Sequence, residues 1–309
     1  MSILNEADFG IVIDDVCVYL KEGYPDGALD MLVENEPSLA VSPQRFMKVA
    51  ELIDLVYRTL VFGGRSQTAE QALRLLFRIA RISDLAFAAV EHSYLDIYVR
   101  ALVASKTSAL PLHRAVRQSR LAALFRDCEA GFGSVAECGC ARGNSFLQLC
   151  FLQVLAQPKF QGEDFLLLDS FQGLSEPRAE DLDITGFELK QAQRILAMTH
   201  FGSMAYGYEE VSAQIWAPFP RVAIHRGWLP ESLKGLDELR YRFVHIDVDL
   251  YEPTLGCFEY FYPRLVPGGV IVTDDYNWPG GRRAVDHFCA RHGLRPSFTA
   301  SHQAFLVAA

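Results

Sequence analysis

Five short apolar segments, rich in β-branched residues, alternate with helical stretches in the last two thirds of the chain. They are unbroken runs, as expected for strands of a parallel sheet that helices cover on both faces. This rhythm constrains the fold more than any other feature, and it predicts an α/β domain. Two further segments, Phe298–Ala300 and Ala304–Val307, suggest a closing hairpin. The five candidate strands are Ser134–Glu137, Phe165–Asp169, Val222–His225, Phe243–Asp247 and Gly269–Thr273.

In the first third of the chain, the spacing of the apolar residues is instead that of consecutive helices. Apolar residues recur at helical spacing, as in Leu73, Leu76, Ile79 and Ala80, and glycine- or proline-rich turns separate the periodic stretches. The segment Ser105–Pro111 is the expected linker. We therefore predict an all-helical domain over residues 1–110 and an α/β domain over residues 111–309. Packing is the default role for these helices, with a lid over the site or a dimer surface as alternatives.

Charge and cysteine usage exclude several classes of function. The formal net charge of -9 argues against a nucleic-acid groove, which needs a basic stripe. The seven cysteines form no C-x-x-C pair, which is typical of a reduced, cytosolic protein. The N-terminus is acidic and no apolar run has the length of a membrane helix. We expect a cytoplasmic protein with neither a nucleic-acid nor a membrane partner.

Two of the predicted strands end in paired carboxylates. Asp247 and Asp249 follow one, and Asp274 and Asp275 follow the other. Ligands of open α/β sheets bind beyond the carboxyl ends of the strands, where these acids would meet. Like charges at this density would either raise one another's pKa or bind a cation. We expect a cation, and an all-oxygen donor set favours Mg²⁺, with Mn²⁺ possible. The alternative for each pair alone is a loop cap, and Asp249 could face a substrate hydroxyl instead of the ion.

The first strand leads into a glycine motif. Gly139 would permit a tight turn after Glu137, and Gly143 would permit a close backbone approach at a helix N-terminus. The G-x-x-x-G spacing differs from the dinucleotide fingerprint and suits a ligand without a pyrophosphate. Asp169, which ends the second strand, is placed to accept both ribose hydroxyls. The alternative is an ordinary strand–turn–helix junction. His245, inside a buried strand, is expected to be a core histidine, with support of the site as the minor alternative.

Together these blocks resemble the macrocin-type O-methyltransferase family (TylF/MycF-like), class I enzymes dependent on S-adenosylmethionine and magnesium. The likeness covers roughly residues 115–295, and its most specific element is the D-x-D-L-Y-E-P-T block that starts at Asp247. The other matching blocks are Glu137–Ser145, Asp169–Pro177, Gly227–Leu233, Tyr262–Gly269 and Asp274–Tyr276.

The resemblance implies a Rossmann-like sheet of seven mostly parallel strands and transfer of a methyl group to a small-molecule hydroxyl, often on a natural-product sugar. It also implies a homodimer or a higher oligomer. If the functional residues of the family are assigned to the matching motif positions of this sequence, the metal ligands would be Asp247, Asp274 and Asp275. The general base would be Asp249. The residues that would hold the cofactor are Glu137, Gly139, Gly143, Ser145, Asp169, Ser170, Gly227, Trp228 and Asp247.

Two other functions remain open from sequence. A glycosyltransferase could use the D-x-D to bind a metal–nucleotide diphosphate, although it gives no role to the upstream glycine motif. A non-catalytic methyltransferase-like scaffold could recruit partners through its helical domain. S-adenosylhomocysteine should stabilise a methyltransferase in a thermal-shift assay, whereas nucleotide diphosphates should stabilise a glycosyltransferase.

Overall fold

A computed structural model of the chain describes residues 6–36, Leu39, 43–83 and 90–309. The chain divides into two compact units, Met1–Ser119 and Arg120–Ala309. In the described residues, no helix is both long and apolar enough to cross a membrane.

The first unit is helical, as its apolar period predicts. Neighbouring helices pack in sequence, with α3 against α4 and α4 against α5. The periodic residues Leu73, Leu76, Ile79 and Ala80 are all fully buried. The helices described are α1 (Glu6–Lys21), α2 (Pro25–Glu34), α3 (Pro43–Phe62), α4 (Ser66–Ser83) and α5 (His92–Ser105).

The segment after α5 is held firmly by α3, although its composition suggests a linker. The buried carboxylate of Asp54 accepts hydrogen bonds from the Ser108 hydroxyl, from the Ala109 N–H at 2.8 Å and from Arg58 Nε at 2.9 Å. The Tyr57 hydroxyl lies 2.9 Å from the Thr107 carbonyl oxygen. The Ser108 side chain and the main chain of residues 107 and 109 therefore bond to α3, which fixes this segment.

Replacing Asp54 by alanine should destabilise the first unit by about 3 kcal/mol. The change leaves the buried Ala109 N–H without its acceptor, and hydrogen bonds to charged groups are the costly ones to lose. Denaturant unfolding of the full chain measures the effect. Glu51→Ala, at an exposed position one turn earlier on α3, is the control and should change stability by less than about 0.5 kcal/mol. Equal stabilities of the two variants would contradict this role of Asp54.

The second unit contains a seven-stranded sheet with the order β3-β2-β1-β4-β5-β7-β6. The first five strands are parallel, and β7 runs antiparallel to both β5 and β6. The predicted strands and closing hairpin are confirmed, with ends shifted by a few residues. The strands are β1 (Ser134–Cys138), β2 (Phe165–Asp169), β3 (Ala223–Arg226), β4 (Tyr241–Ile246), β5 (Leu265–Thr273), β6 (Ser297–Phe298) and β7 (Ala304–Val307).

Helices cover both faces of this sheet, which explains the unbroken apolar runs. On one face, Val244 and Ile246 of β4 pack in a core cluster with Phe258 and Phe288. On the other face, the Phe165 ring meets several phenylalanine rings edge-on. The remaining helices are α6 (His113–Arg126), α7 (Asn144–Ala156), α8 (Ala179–Leu182), α9 (Leu189–Met198), α10 (Tyr208–Trp216), α11 (Tyr251–Phe261) and α12 (Pro279–His292).

Candidate active site

From β1 the strands β2 and β3 continue toward one edge of the sheet, and from β4 the chain continues toward the other edge. At such a switch point a crevice opens at the carboxyl ends of the two central strands, here β1 and β4. Backbone bonds continue past the strands and set the residues of the site side by side. The Asp247 N–H donates to the Cys138 carbonyl oxygen at 2.8 Å, and the Asp274 N–H donates to the Ile246 carbonyl oxygen at 3.1 Å. Parallel register therefore brings the ends of β1, β4 and β5 to one edge of the sheet.

The two glycines of the motif are required by the backbone. Gly139 has φ +79°, and a Cβ there would overlap the carbonyl oxygen of Asp247. Gly143 has φ +81° and precedes α7, where a Cβ would lie 2.7 Å from Ile215 Cδ1. Gly139 thus lets the loop after β1 lie directly against the loop after β4, while Gly143 permits α10 to pack closely.

A Gly139→Ala substitution should weaken S-adenosylhomocysteine binding by more than about tenfold, because the new methyl group would displace the Asp247 backbone. An alanine at positive φ costs about 1–2 kcal/mol by itself, so the control must also replace a glycine that has positive φ. Gly235→Ala supplies this control, since Gly235 has φ +91° and open space around its missing Cβ. Isothermal titration calorimetry on both variants separates strain from overlap. Equal ligand affinity of the two variants would contradict this role of Gly139.

Asp169 lies at the end of β2 beside the glycine loop. Its Oδ2 accepts from the Cys140 N–H at 2.7 Å, and its Oδ1 accepts from the Phe171 N–H at 2.6 Å. A carboxylate has about four acceptor sites, so these two bonds fix its orientation and leave capacity for ribose hydroxyls. Ser170 supports the same turn, because its hydroxyl accepts from the Gln172 N–H.

A cavity of about 110 Å³ opens at this edge of the sheet. The sequence-predicted residues that line it are Gly139, Asp169, Ser170, Trp228, Asp247 and Asp249. Ser203 and Met204 also line it. They lie in the connection between α9 and α10, and sequence reasoning missed them because no motif marks this segment.

Four residues predicted to bind the cofactor do not line the cavity: Glu137, Gly143, Ser145 and Gly227. Gly143 and Gly227 shape the backbone around it, since a Cβ on Gly227 would meet Ser232. Glu137 is fully buried, and its carboxylate accepts from the Ser145 hydroxyl at 3.0 Å. In the structure the Glu137 carboxylate faces β4 and does not line the cavity, so its direct contact with the cofactor stays a prediction.

His245 is the partner that Glu137 meets there. The two residues are in register on β1 and β4, and His245 Nδ1 lies 2.8 Å from Glu137 Oε2. The other ring nitrogen, Nε2, lies 3.3 Å from Asp274 Oδ1. Burial lowers the pKa of His245, but the carboxylates of Asp274 and Glu137 outweigh it and raise that pKa well above the usual value. His245 is thus fully buried between two carboxylates, in the core position that the sequence predicts.

The four acids of the strand ends gather in two overlapping groups. His245, Asp247 and Asp274 have side-chain ligand atoms within 4.8 Å of one another, and so do Asp247, Asp249 and Asp275. The predicted metal set of Asp247, Asp274 and Asp275 is thus divided, with Asp247 in both groups. Asp274 and Asp275 directly follow β5 and face different partners, Asp274 toward His245 and Asp275 toward the backbone of Asp249.

The second group has the character of a cation site. Burial raises the pKa of Asp275 well above its usual value, and the charges of Asp249 and Asp247 raise it further. Asp275 Oδ2 accepts from the N–H groups of Val248 and Asp249 at 3.0 and 2.9 Å. These bonds hold Asp249 at φ +60°, which aspartate tolerates better than most residues. A bound divalent cation would relieve the repulsion among these oxygens, so the residues fit Mg²⁺.

Asp181 of α8 is a supporting residue that the sequence does not reveal. It is almost fully buried, and its Oδ1 accepts from the Tyr251 N–H at 2.7 Å, at the first turn of α11. Burial raises its pKa. A carboxylate at a helix N-terminus is favourable, and here it fixes the start of α11 just after Asp249. No local pattern links residues so far apart in the chain.

Comparison with known proteins gives one family. The family model described as "Macrocin-O-methyltransferase (TylF)" matches residues 117–303. A curated relative from Streptomyces olivaceus, "8-demethyl-8-(2,3-dimethoxy-alpha-L-rhamnosyl)-tetracenomycin-C 4'-O-methyltransferase", is 29% identical over 169 residues, which are 52% of this chain and 60% of the relative. The "Mycinamicin III 3''-O-methyltransferase" of Micromonospora griseorubida is 35% identical over 68 residues, 22% of this chain and 27% of the relative. The aligned part thus spans less than two thirds of each.

Solved structures give a weaker likeness. The O-methyltransferase NovP is 21% identical with a TM-score of 0.49, over 62% of this chain and 79% of NovP. CalS11, a calicheamicin methyltransferase, is 18% identical with a TM-score of 0.49, over 70% of this chain and 93% of CalS11.

Proposed function

This chain belongs to the macrocin O-methyltransferase (TylF) family, and from that premise we propose that it is a metal-dependent O-methyltransferase. It would move a methyl group from S-adenosylmethionine to a hydroxyl of a small molecule, a sugar or another diol made in natural-product biosynthesis. The observation that carries the proposal is the gathering of Asp247, Asp249, Asp274 and Asp275 beside a cavity that Asp169 and Gly139 line. Both curated relatives are named as O-methyltransferases, and the name of one includes a rhamnosyl group, which supports the acceptor class.

The donor would lie between the glycine loop and the acid groups. Asp169 would accept hydrogen bonds from the ribose hydroxyls, and Gly139 would let the ligand approach the backbone. Trp228 and Ser170 line the same cavity and would contact the donor. The donor supplies an electrophilic methyl group on a sulfonium, so the protein's task is to hold an acceptor oxygen in line with it. Such positioning can contribute about 7–11 kcal/mol.

The acid groups would prepare the acceptor. Asp247, Asp274 and Asp275 would hold Mg²⁺ or Mn²⁺, and a divalent ion lowers the pKa of a bound hydroxyl and acts as a Lewis acid. Asp249 would take the proton, because this residue lines the cavity and its carboxylate neighbours those of Asp247 and Asp275. A vicinal diol offers two oxygens to such an ion, which favours sugars and catechol-like phenols as acceptors.

Methyl transfer itself tests the proposal. The full chain should be incubated with a labelled methyl donor, Mg²⁺ and a panel of diol-bearing sugars, glycosides and phenols. We expect label in at least one diol and none in its deoxy counterpart. Transfer that continues at full rate after exhaustive chelation would refute the metal role. Binding of uridine or guanosine diphosphate without binding of S-adenosylhomocysteine would support the glycosyltransferase alternative instead.

A further inference from the structure

A glutamine from the last hairpin reaches into the acid groups. Gln303 precedes β7, is fully buried, and donates from Nε2 to Asp274 Oδ1 at 2.6 Å. We propose that Gln303 is a positioning residue for the metal site, which holds the Asp274 carboxylate in the orientation that binds the cation. This inference rests on the proposed function, because it concerns the ion that the acids would hold.

The Gln303 amide is itself held in one orientation. The Thr299 hydroxyl donates to the side-chain oxygen Oε1 of Gln303 at 3.0 Å. A main-chain hydrogen bond of 3.0 Å, from the Thr299 N–H to the main-chain carbonyl oxygen of Gln303, keeps the two residues side by side. A reversed amide would turn its oxygen toward the Asp274 carboxylate, where two acceptors repel each other. The hairpin therefore presents a fixed N–H donor to Asp274.

A second side chain, the imidazole of His245, lies beside the same carboxylate oxygen. His245 Nε2 lies 3.3 Å from Asp274 Oδ1, and Nδ1 of the same ring lies 2.8 Å from Glu137. Asp274 is thus held by the amide of the hairpin and by an imidazole anchored on β1. Glu137, His245, Asp274 and Gln303 are all buried, with 1% exposure at most, so bulk water has no access to replace any of them.

The orientation of Asp274 matters because this residue shares a group with Asp247, the acid common to both clusters. Residues that hydrogen-bond to metal-ligating side chains set the orientation of those ligands, and their loss typically lowers metal affinity or activity about 10–100-fold. Asp275 is oriented by the backbone, since its Oδ2 accepts from two N–H groups. Asp274 Oδ1 is oriented by side chains instead, and the contact with Gln303 is shorter than the contact with His245.

The test is the affinity of the full chain for Mg²⁺ and Mn²⁺, measured by calorimetry with S-adenosylhomocysteine present at saturation. Gln303→Met keeps the length of the side chain and removes the donor. We expect about 10–100-fold weaker cation binding with S-adenosylhomocysteine affinity, measured separately, unchanged. Gln157→Met, on an exposed glutamine at the end of α7, is the matched control and should bind the ion as the unmodified chain does.

A second variant keeps the test decisive if Gln303→Met does not fold. Thr299→Val, at a half-buried position, removes the hydroxyl that donates to the Gln303 amide and accepts from the N–H groups of Ser301 and Gln303. It should weaken cation binding in the same direction by a smaller factor. If Gln303→Met folds and binds the cation with unchanged affinity, the proposed role of Gln303 is overturned, while the metal dependence still stands. If Gln303→Met does not fold, unchanged cation affinity in Thr299→Val overturns that role instead. Failure of the unmodified chain to bind either ion would instead overturn the metal dependence, and the role of Gln303 with it.

Discussion

Replacing Asp247 by asparagine is expected to lower the rate of methyl transfer about 10³-fold while leaving S-adenosylhomocysteine affinity nearly intact. Asp247 belongs to both acid groups, so its loss affects every arrangement of a cation among these residues. Metal ions contribute several kcal/mol to stabilising developing charge, and about 4 kcal/mol corresponds to this factor. Steady-state kinetics and calorimetry with the donor product provide the two readouts.

The control for this substitution is Asp237→Asn. Asp237 is an exposed aspartate paired with Arg264, and it does not line the cavity, so kinetics and ligand binding should both be unchanged. Full activity of Asp247→Asn in the presence of a chelator would contradict the metal role. A loss of S-adenosylhomocysteine binding as large as the loss of rate would show that Asp247 serves the donor rather than the acceptor.

Asp249→Asn is expected to reduce kcat by about 10²–10⁴-fold, the usual contribution of a general base. Asparagine tolerates the left-handed backbone that Asp249 adopts at φ +60°. The Asp249 backbone N–H can also still donate to Asp275. The substitution therefore removes the charge and the proton acceptor with little change in the loop. Stopped assays of methyl transfer near neutral pH measure the effect.

Cation affinity decides what Asp249 does. Asp249 has its carboxylate near those of Asp247 and Asp275, so geometry permits both a base and a metal ligand. If Asp249 is the general base, the Asp249→Asn variant should bind Mg²⁺ with unchanged or slightly reduced affinity. A parallel fall in Mg²⁺ affinity and kcat would assign Asp249 to the ion, and full activity would place the base elsewhere.

The sequence predicted the sheet well because its strands are buried on both faces. An unbroken apolar run such as Phe165–Asp169 has few alternatives when helices flank it. Acids at the ends of such runs must also meet at one edge of the sheet, so the sequence alone places Asp169, Asp247 and the Asp274–Asp275 pair together. The family match over residues 117–303 confirms the resemblance that these motifs carry.

Side-chain direction and long-range pairing were beyond the sequence. The direction of the Glu137 side chain depends on the register between β1 and β4, which places Glu137 opposite His245. Gln303 reaches Asp274 only because β5 and β7 pair with Thr273 opposite Ala304. Asp54 likewise bonds to Ser108 and Ala109, which lie 54 and 55 positions later in the chain. None of these contacts has a local signal, since each is created by tertiary packing.

The most direct measurement of the central claim is a crystal structure of the full chain with S-adenosylhomocysteine and Mn²⁺, using the anomalous signal of the metal. We predict one anomalous peak, which marks a metal ion bound to the Asp247 carboxylate with Asp274 and Asp275 around it. We also predict the donor product in the cavity, with its ribose at Asp169. Donor product bound there with no peak among these aspartates, or with their side chains paired to arginines instead, would contradict metal-dependent methyl transfer at this site.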